Sequence, residues 1–160
     1  MERKWVAAFT LSVLLIASAL VVVTRFTPTH QERQLRNVPP ISIQRDTDFD
    51  ADHGVVRGSG TISDPYLIEG WNIDTSVGGC SGRPCAGIAV RNVSSSFIIR
   101  NVKVRGGPYD DGLSLSAVND ARLESASITV GGGGIRIAYS TDLTILGNVV
   151  VGSNEGISLT

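Results

Sequence analysis

The chain is poor in side chains that bind soft metals. Its 160 residues include two histidines, two cysteines and one methionine. The histidines, His30 and His53, are far apart in the sequence, and the methionine is Met1. Copper sites are built from imidazole, thiolate and thioether groups, so a copper centre is not expected. Calcium is the one cofactor for which the sequence holds candidate ligands.

An excess of charge of either sign is also absent. The chain has 14 lysines and arginines against 15 aspartates and glutamates, which gives a net charge of −1 at pH 7. Proteins that bind nucleic acid present a strongly basic field. The composition therefore excludes a nucleic acid as the expected partner.

Helical periodicity is missing outside the N-terminal segment. Aromatic residues make up 6% of the chain, whereas glycine occurs 18 times. Short apolar runs lie between glycine and asparagine clusters, which is typical of strands joined by turns. The composition predicts an all-β fold rather than a helical or disordered one.

The N-terminus carries an uncharged stretch, residues 5–24, that follows Arg3 and Lys4. As a helix it is just long enough to cross a bilayer, and the two cations would keep the N-terminus in the cytoplasm. A cleavable signal peptide is the alternative, because residues 17–19 read Ala-Ser-Ala. Both alternatives predict that the rest of the chain is extracytoplasmic, either anchored in the membrane or secreted.

A tetrad of glycine, an aliphatic residue, any residue and a second aliphatic residue occurs four times in the second half of the chain. Its glycines are Gly87, Gly112, Gly134 and Gly156, at intervals of 25, 22 and 22 residues. A fixed period of this length indicates stacked repeats.

Aliphatic and aromatic residues with the same period fall into columns when the repeats are aligned. Their alternation within each segment is that of strands with one buried face. This pattern predicts a parallel β-helix, a solenoid of about three to four coils with about 22 residues and three short strands each. The columns are Tyr66, Phe97, Ala121 and Leu143; Ile68, Ile99, Leu123 and Ile145; and Ile73, Val104, Ile128 and Val150.

Four regions follow from this interpretation. Residues 1–25 would be a signal anchor or signal peptide, 26–37 a tether, 38–60 an N-terminal cap and 61–160 the coils. The sequence stops one strand into a new coil, so we interpret the solenoid as truncated at its C-terminus. The alternative is that the exposed edge pairs with another subunit.

Residues 58–73 read GSGTISDPYLIEGWNI. This string resembles the opening coil of secreted archaeal right-handed β-helix proteins, a pectin-lyase-like group with NosD-type repeats. The resemblance covers the chain from residue 38 onward and implies a right-handed helix. It implies almost nothing about catalysis, because one fold can carry many unrelated functions.

Asp110 and Asp111 are the weak candidates for catalysis. Polysaccharide hydrolases use two carboxylates, one as general acid and the other as base. Adjacent residues on a strand point to opposite faces, so this pair is not by itself an active site.

A polysaccharide lyase would need calcium held by several carboxylates and an arginine as base. The sequence offers Asp74, Asp111 and Glu155, with Arg100 or Arg105 beside them. The competing interpretation is that these are solvated charges at the corners of the coils.

Alternating aspartates in the cap are the weak candidates for calcium. They are Asp46, Asp48, Asp50 and Asp52. The segment lacks the glycine and the terminal glutamate of a calcium-binding EF-hand loop. Alternating carboxylates also suit the exposed face of an extended segment.

Two covalent modifications are expected of an exported chain. Cys80 and Cys85 are the only cysteines, and glycine and proline between them permit a short disulfide loop. Asn92 begins an Asn-Val-Ser sequon for N-glycosylation.

The sequence thus favours an exported, surface-anchored module that is not an enzyme. It would bind a polysaccharide or other cell-envelope glycan, or act as a structural spacer. The alternative is a polysaccharide lyase or glycosidase whose active site lies on further coils beyond Thr160.

Overall fold

The structure is a computed structural model and describes residues 35–77 and 85–160. These residues are 60% strand and 3% helix, and the helix is one short 3-10 turn, Asp46–Asp48. The strands in chain order are β1 Arg36–Val38, β2 Ile41–Ile43, β3 Val55–Arg57, β4 Tyr66–Glu69, β5 Trp71–Asp74, β6 Ala86–Val93, β7 Phe97–Arg100, β8 Lys103–Arg105, β9 Asp111–Glu124, β10 Ser127–Thr129, β11 Gly133–Ala138, β12 Thr141–Leu146, β13 Val149–Val151 and β14 Glu155–Leu159.

A five-stranded sheet contains β1, β5, β8, β10 and β13 in that order, and all of its pairings are parallel. Its strands are three or four residues long. Ile73, Val104 and Ile128 are fully buried on its inner face. Their neighbours along each strand are polar and lie on the outer face, because successive side chains of a strand alternate.

A nine-stranded sheet contains the remaining strands, and β9 joins its parts. The first half of β9 pairs with β6 and β11, and the second half pairs with β7 and β12. At the far edge, β3 pairs antiparallel with β4, so the sheet is mixed. Through β9 the sheet curls into a half-barrel.

The predicted fold class, a right-handed parallel β-helix solenoid, is therefore wrong. The structure has mixed sheets and a half-barrel. Where three strands of three to five residues were expected in each coil, β9 runs without interruption for 14 residues. The antiparallel β3 arises because the chain turns back between Thr61 and Asp64 and lays Val55 beside Ile68.

The columns predicted from the repeat are confirmed as the register between strands. In the nine-stranded sheet, Ile68 pairs with Ile99, and Ile99 pairs with Leu123. The five-stranded sheet pairs Val104 with Ile128 in the same way. These five side chains are completely buried. At roughly 1.5 to 3 kcal/mol for each fully buried aliphatic side chain, the columns supply a large share of the stabilising free energy.

Three of the four tetrad glycines, Gly87, Gly112 and Gly134, lie directly against column residues of the five-stranded sheet. A Cβ atom at Gly112 would lie 2.3 Å from Cγ2 of Ile128 and 2.4 Å from the carbonyl oxygen of Gly134. At Gly134 it would lie 2.3 Å from Cγ1 of Val150. The glycines thus let column residues of the five-stranded sheet pack directly against the backbone of the other sheet.

Aromatic residues close the N-terminal end of the core. Phe49 stacks on Tyr66 with 4.6 Å between ring centroids, and Phe97 lies beside it at 5.5 Å. The indole Nε1 of Trp71 donates a hydrogen bond to the carbonyl oxygen of Gly54, at 2.8 Å. These contacts fasten the cap to the sheets.

The first two strands, β1 and β2, belong to different sheets although only two residues separate them. The break falls at Pro39 and Pro40, which have no N–H to donate to a ladder. No helix of the described part of the chain is long and apolar enough to cross a membrane. The predicted anchor or signal, residues 1–25, lies outside the described residues.

Candidate functional site

Asp110 stands immediately before β9 and is fully buried. It accepts hydrogen bonds from Thr75 Oγ1 at 2.6 Å and from the backbone N–H of Gly107 at 2.9 Å. The backbone N–H of Cys85 is 3.4 Å from its other oxygen. This carboxylate therefore connects three loops inside the fold, where no substrate reaches it.

Asp111, the first residue of β9, interacts with a different set of partners. Its Oδ1 accepts from the backbone N–H of Gly133 at 2.7 Å and from Nε of Arg136 at 3.0 Å. The Arg136 guanidinium also lies 3.6 Å from Glu155. Asp111 is 8% exposed. The two neighbouring carboxylates are thus engaged separately and do not face a common reaction centre.

Arg136 belongs to a groove on the outer face of the nine-stranded sheet. The groove has a volume of about 300 Å³. Two rows of outward side chains cross the strands within it. One row is Ser114, Arg136 and Ser158, and the other is Arg91, Ser116 and Ala138. Each row crosses three strands, but the two rows together span the four strands β6, β9, β11 and β14, so three spacings of about 4.8 Å make the groove about 14 Å long.

Arg91 gives this groove its free cation. In the part of the chain that the structure describes, no hydrogen bond or ion pair engages its guanidinium. By contrast, Arg136 is flanked by Asp111 and Glu155. Tyr139 directly follows the groove residue Ala138, and its side chain is 84% exposed. The groove therefore combines hydroxyl groups and an unpaired guanidinium, with an exposed aromatic ring close by.

Three of the four alternating aspartates of the cap, Asp46, Asp48 and Asp50, each bind different partners. Asp46 accepts from the backbone N–H groups of Ser94 and Ser95 and from the Ser94 hydroxyl. Asp48 forms an ion pair with Arg45 at 3.3 Å.

Asp50 accepts hydrogen bonds from the backbone N–H and the imidazole Nδ1 of His53. The side-chain hydrogen bond of His53 is the main cause of the lowered pKa of Asp50. Among residues 35–77 and 85–160, no group of three or more metal-binding side chains is found.

Asp46 holds the cap against the turn between β6 and β7, and its contacts affect its pKa. Partial burial raises the pKa, but the hydrogen bonds from Ser95 and Ser94 outweigh it, so the pKa is lowered. A carboxyl group with a lowered folded-state pKa contributes stability above its unfolded pKa. This contribution is lost as the pH falls through the folded pKa.

We expect Asp46→Asn to reduce the loss of stability in acid. Between pH 7 and about pH 3, a range that spans the ordinary aspartate pKa, the urea midpoint of the parent chain should fall further than that of the variant. Asp52→Asn, at an exposed position, is the matched control and should follow the parent. An equal fall for Asp46→Asn and the parent would contradict this role of Asp46.

The two predicted modifications involve residues of β6 or the residue before it, Asn92 and Cys85. Asn92 is exposed and has a positive φ of 51°, but the hydroxyl of Ser94 in its sequon is held by Asp46. Glycosylation there stays a prediction. Cys80 lies outside the described residues, so the expected Cys80–Cys85 disulfide stays a prediction. Cys85 is buried, and the described residues contain no free cysteine.

Of the carboxylates considered for a lyase, Asp111 and Glu155 share Arg136, but Asp74 is not brought to them. Asp74 lies on the five-stranded sheet, whereas Asp111 and Glu155 lie on the nine-stranded sheet. Arg100 forms an ion pair with Glu69.

Sequence reasoning missed Arg91 and Arg136 as surface groups of one groove. The signal was available, because Arg136 occupies the variable position of its tetrad, as Ser114 and Ser158 do in theirs.

No family model, no curated protein and no solved structure matches the chain. The resemblance of residues 58–73 to archaeal pectin-lyase-like proteins therefore stays a prediction. The groove and the carboxylates around it are the observations from which a function can be argued.

Proposed function

We propose that this chain is an exported, surface-anchored binding module that recognises carbohydrate of the cell envelope. The binding surface is the groove on the nine-stranded sheet. The observation that carries the proposal is the pair of rows of serine hydroxyls and arginine side chains across four neighbouring strands.

The chemistry of the groove suits a sugar chain. A serine hydroxyl both donates and accepts hydrogen bonds, as a sugar hydroxyl does, and Ser114, Ser116 and Ser158 all line the groove. The guanidinium of Arg91 adds several donors in a fixed plane. Tyr139 has an apolar ring on which the C–H face of a sugar can pack. A groove about 14 Å long offers contacts to several sugar units.

The state of the carboxylates supports binding rather than hydrolysis. Asp110 is buried among backbone donors, and Asp111 is committed to Gly133 and Arg136. An acid–base pair in a glycosidase must reach both sides of a glycosidic bond. Neither aspartate is free to do so in this arrangement.

Export rests on the N-terminal sequence. The uncharged residues 5–24 behind Arg3 and Lys4 favour a membrane anchor or a signal peptide. An extracytoplasmic position would bring the groove to envelope glycans.

A glycan array, followed by titration of the strongest hit, tests the proposal. We expect Arg91→Gln and Ser116→Val each to weaken binding by about tenfold, which corresponds to about 1.4 kcal/mol and the loss of one or two hydrogen bonds. Arg57→Gln, an exposed arginine on β3, is the control of equal charge change and should leave the affinity unaltered.

Two outcomes would contradict the proposal. One is binding that is insensitive to both groove variants. The other is release of unsaturated uronate products in an absorbance assay, with the activity abolished by Asp111→Asn in a folded protein. The second outcome would identify the chain as a lyase.

A further inference from the structure

A second cleft lies on the other sheet and has no part in the groove just described. It opens over the N-terminal strands of the five-stranded sheet and has a volume of about 500 Å³. This volume is within the range of small-molecule sites. The lining residues are Asn37, Val38, Pro39, Asn72, Asp74, Val77 and Arg105.

One wall of the cleft contains two side chains with acceptor oxygens, Asn72 and Asp74, of which the Asn72 oxygen lies below the surface. Oδ1 of Asn72 is buried and has no hydrogen-bond partner in the described residues, while its amide nitrogen donates to Asn37 at 2.6 Å. Buried polar atoms are almost always paired, so this oxygen requires a donor. On the same strand, Oδ1 of Asp74 accepts both the backbone N–H and the hydroxyl of Ser76. Among the described residues, no hydrogen bond is found to the other carboxylate oxygen of Asp74.

A cation stands opposite Asp74 on the neighbouring strand. Arg105 is the register partner of Asp74, and adjacent strands are about 4.8 Å apart. The two side chains nevertheless form no ion pair with each other. Within the described ranges, the Arg105 guanidinium also makes no hydrogen bond. The cleft therefore holds the Asp74 carboxylate and the Arg105 guanidinium on adjacent strands, and the two groups are not paired with each other.

Apolar side chains complete the cleft. Val38, Pro39 and Val77 line it, and Val77 is 68% exposed. A bound apolar group would cover this surface, and removing apolar surface from water favours binding. The cleft thus combines an anionic group, a cationic group and an apolar wall within one small volume.

We propose that this cleft binds a free α-amino acid with an apolar side chain. The ligand's ammonium group donates to Asp74, and its carboxylate accepts from Arg105. Its side chain packs on the apolar wall. A free amino acid carries both charges on one carbon atom, which matches the neighbouring positions of Asp74 and Arg105 on adjacent strands.

Three ligands of nearly equal shape test the proposal on the full 160-residue chain. L-Leucine has both charged groups, 3-methylbutanoate lacks the ammonium group, and 3-methylbutylamine lacks the carboxylate. Titration by NMR to about 10 mM covers the affinities expected for so small a ligand. We expect leucine to saturate resonances around the cleft and each single-charge analogue to bind at least about tenfold more weakly.

Matched variants locate the site. Arg105→Gln and Asp74→Asn should each weaken leucine binding by about tenfold or more. Lys103→Gln removes a cation from the same strand as Arg105, at a residue outside the cleft lining, and should change the affinity by less than about twofold. Neither cleft variant should alter glycan binding by the groove, because the two sites share no lining residue. Failure of one proposal therefore does not decide the other.

Three results would overturn the proposal. They are the absence of saturable leucine binding to the parent chain, equal binding of leucine and either analogue, and equal weakening by Arg105→Gln and Lys103→Gln. The parent result does not depend on the folding of any variant.

Discussion

Gly112→Ala is expected to destabilise the chain by about 3 kcal/mol or more. The new methyl group would meet Ile128 at 2.3 Å and the carbonyl oxygen of Gly134 at 2.4 Å. Overpacking of a core side chain alone costs about 1 to 3 kcal/mol. Here the backbone of β11, which carries Gly134, must also shift. This shift is costly because β11 is paired with both β9 and β14. For domains with total stabilities of about 5 to 15 kcal/mol, such a loss is severe.

The tetrad itself supplies the control for this prediction. Gly156 occupies the same position in its tetrad, but no atom lies within 4 Å of a Cβ built there. Gly156→Ala should therefore remain within about 0.5 kcal/mol of the parent. Urea unfolding followed by circular dichroism measures both variants. A cost below about 1 kcal/mol for Gly112→Ala would mean that the two sheets separate easily.

Asp110→Asn is expected to cost about 3 kcal/mol. The carboxylate accepts from Thr75, Gly107 and Cys85 inside the fold, and hydrogen bonds to a charged group contribute about 1.5 to 3 kcal/mol. An asparagine keeps one acceptor oxygen but turns an NH₂ group toward donors. One buried donor then loses its partner, which carries the full desolvation penalty.

A double-mutant cycle with Thr75→Val separates this interaction from other effects. If the hydrogen bond between Thr75 and Asp110 is formed, the two changes together should cost less than the sum of the single changes. Asp52→Asn at an exposed position is the control for the lost charge. Equal unfolding midpoints for Asp110→Asn and Asp52→Asn would contradict a structural role for the buried carboxylate.

The register of the strands could be predicted from the sequence because the residues alternate with period two and recur after about 22 positions. Only one alignment places Ile99, Leu123 and Ile145 on a common inner face. The structure has this alignment in Ile99 with Leu123 and in Leu123 with Ile145.

The sheet architecture could not be predicted in the same way. The chain bends within β9 at Ala117 and Asp120, which both adopt positive φ. Alanine is not a turn signal, because its Cβ disfavours that conformation. The sequence therefore gives no indication that one strand continues from one part of the sheet into the next.

The geometry of the candidate site could not be predicted from the sequence either. Asp110 and Asp111 could be singled out by residue type, but their partners come from other strands and loops. Thr75 is 35 residues away from Asp110, and Arg136 is 25 residues away from Asp111. Residue type alone could not show that one carboxylate is enclosed while the other positions a surface arginine.

The order of pairing also has a consequence for how the chain folds. Leu113 and Ile135 pair over 22 residues, whereas Ile41 and Ile88 pair over 47. Loop-closure entropy grows with the logarithm of the separation, so the longer closure costs about 0.7 kcal/mol more. The strands between β9 and β14 can therefore assemble on local contacts, and the cap strands can add to a sheet that already exists.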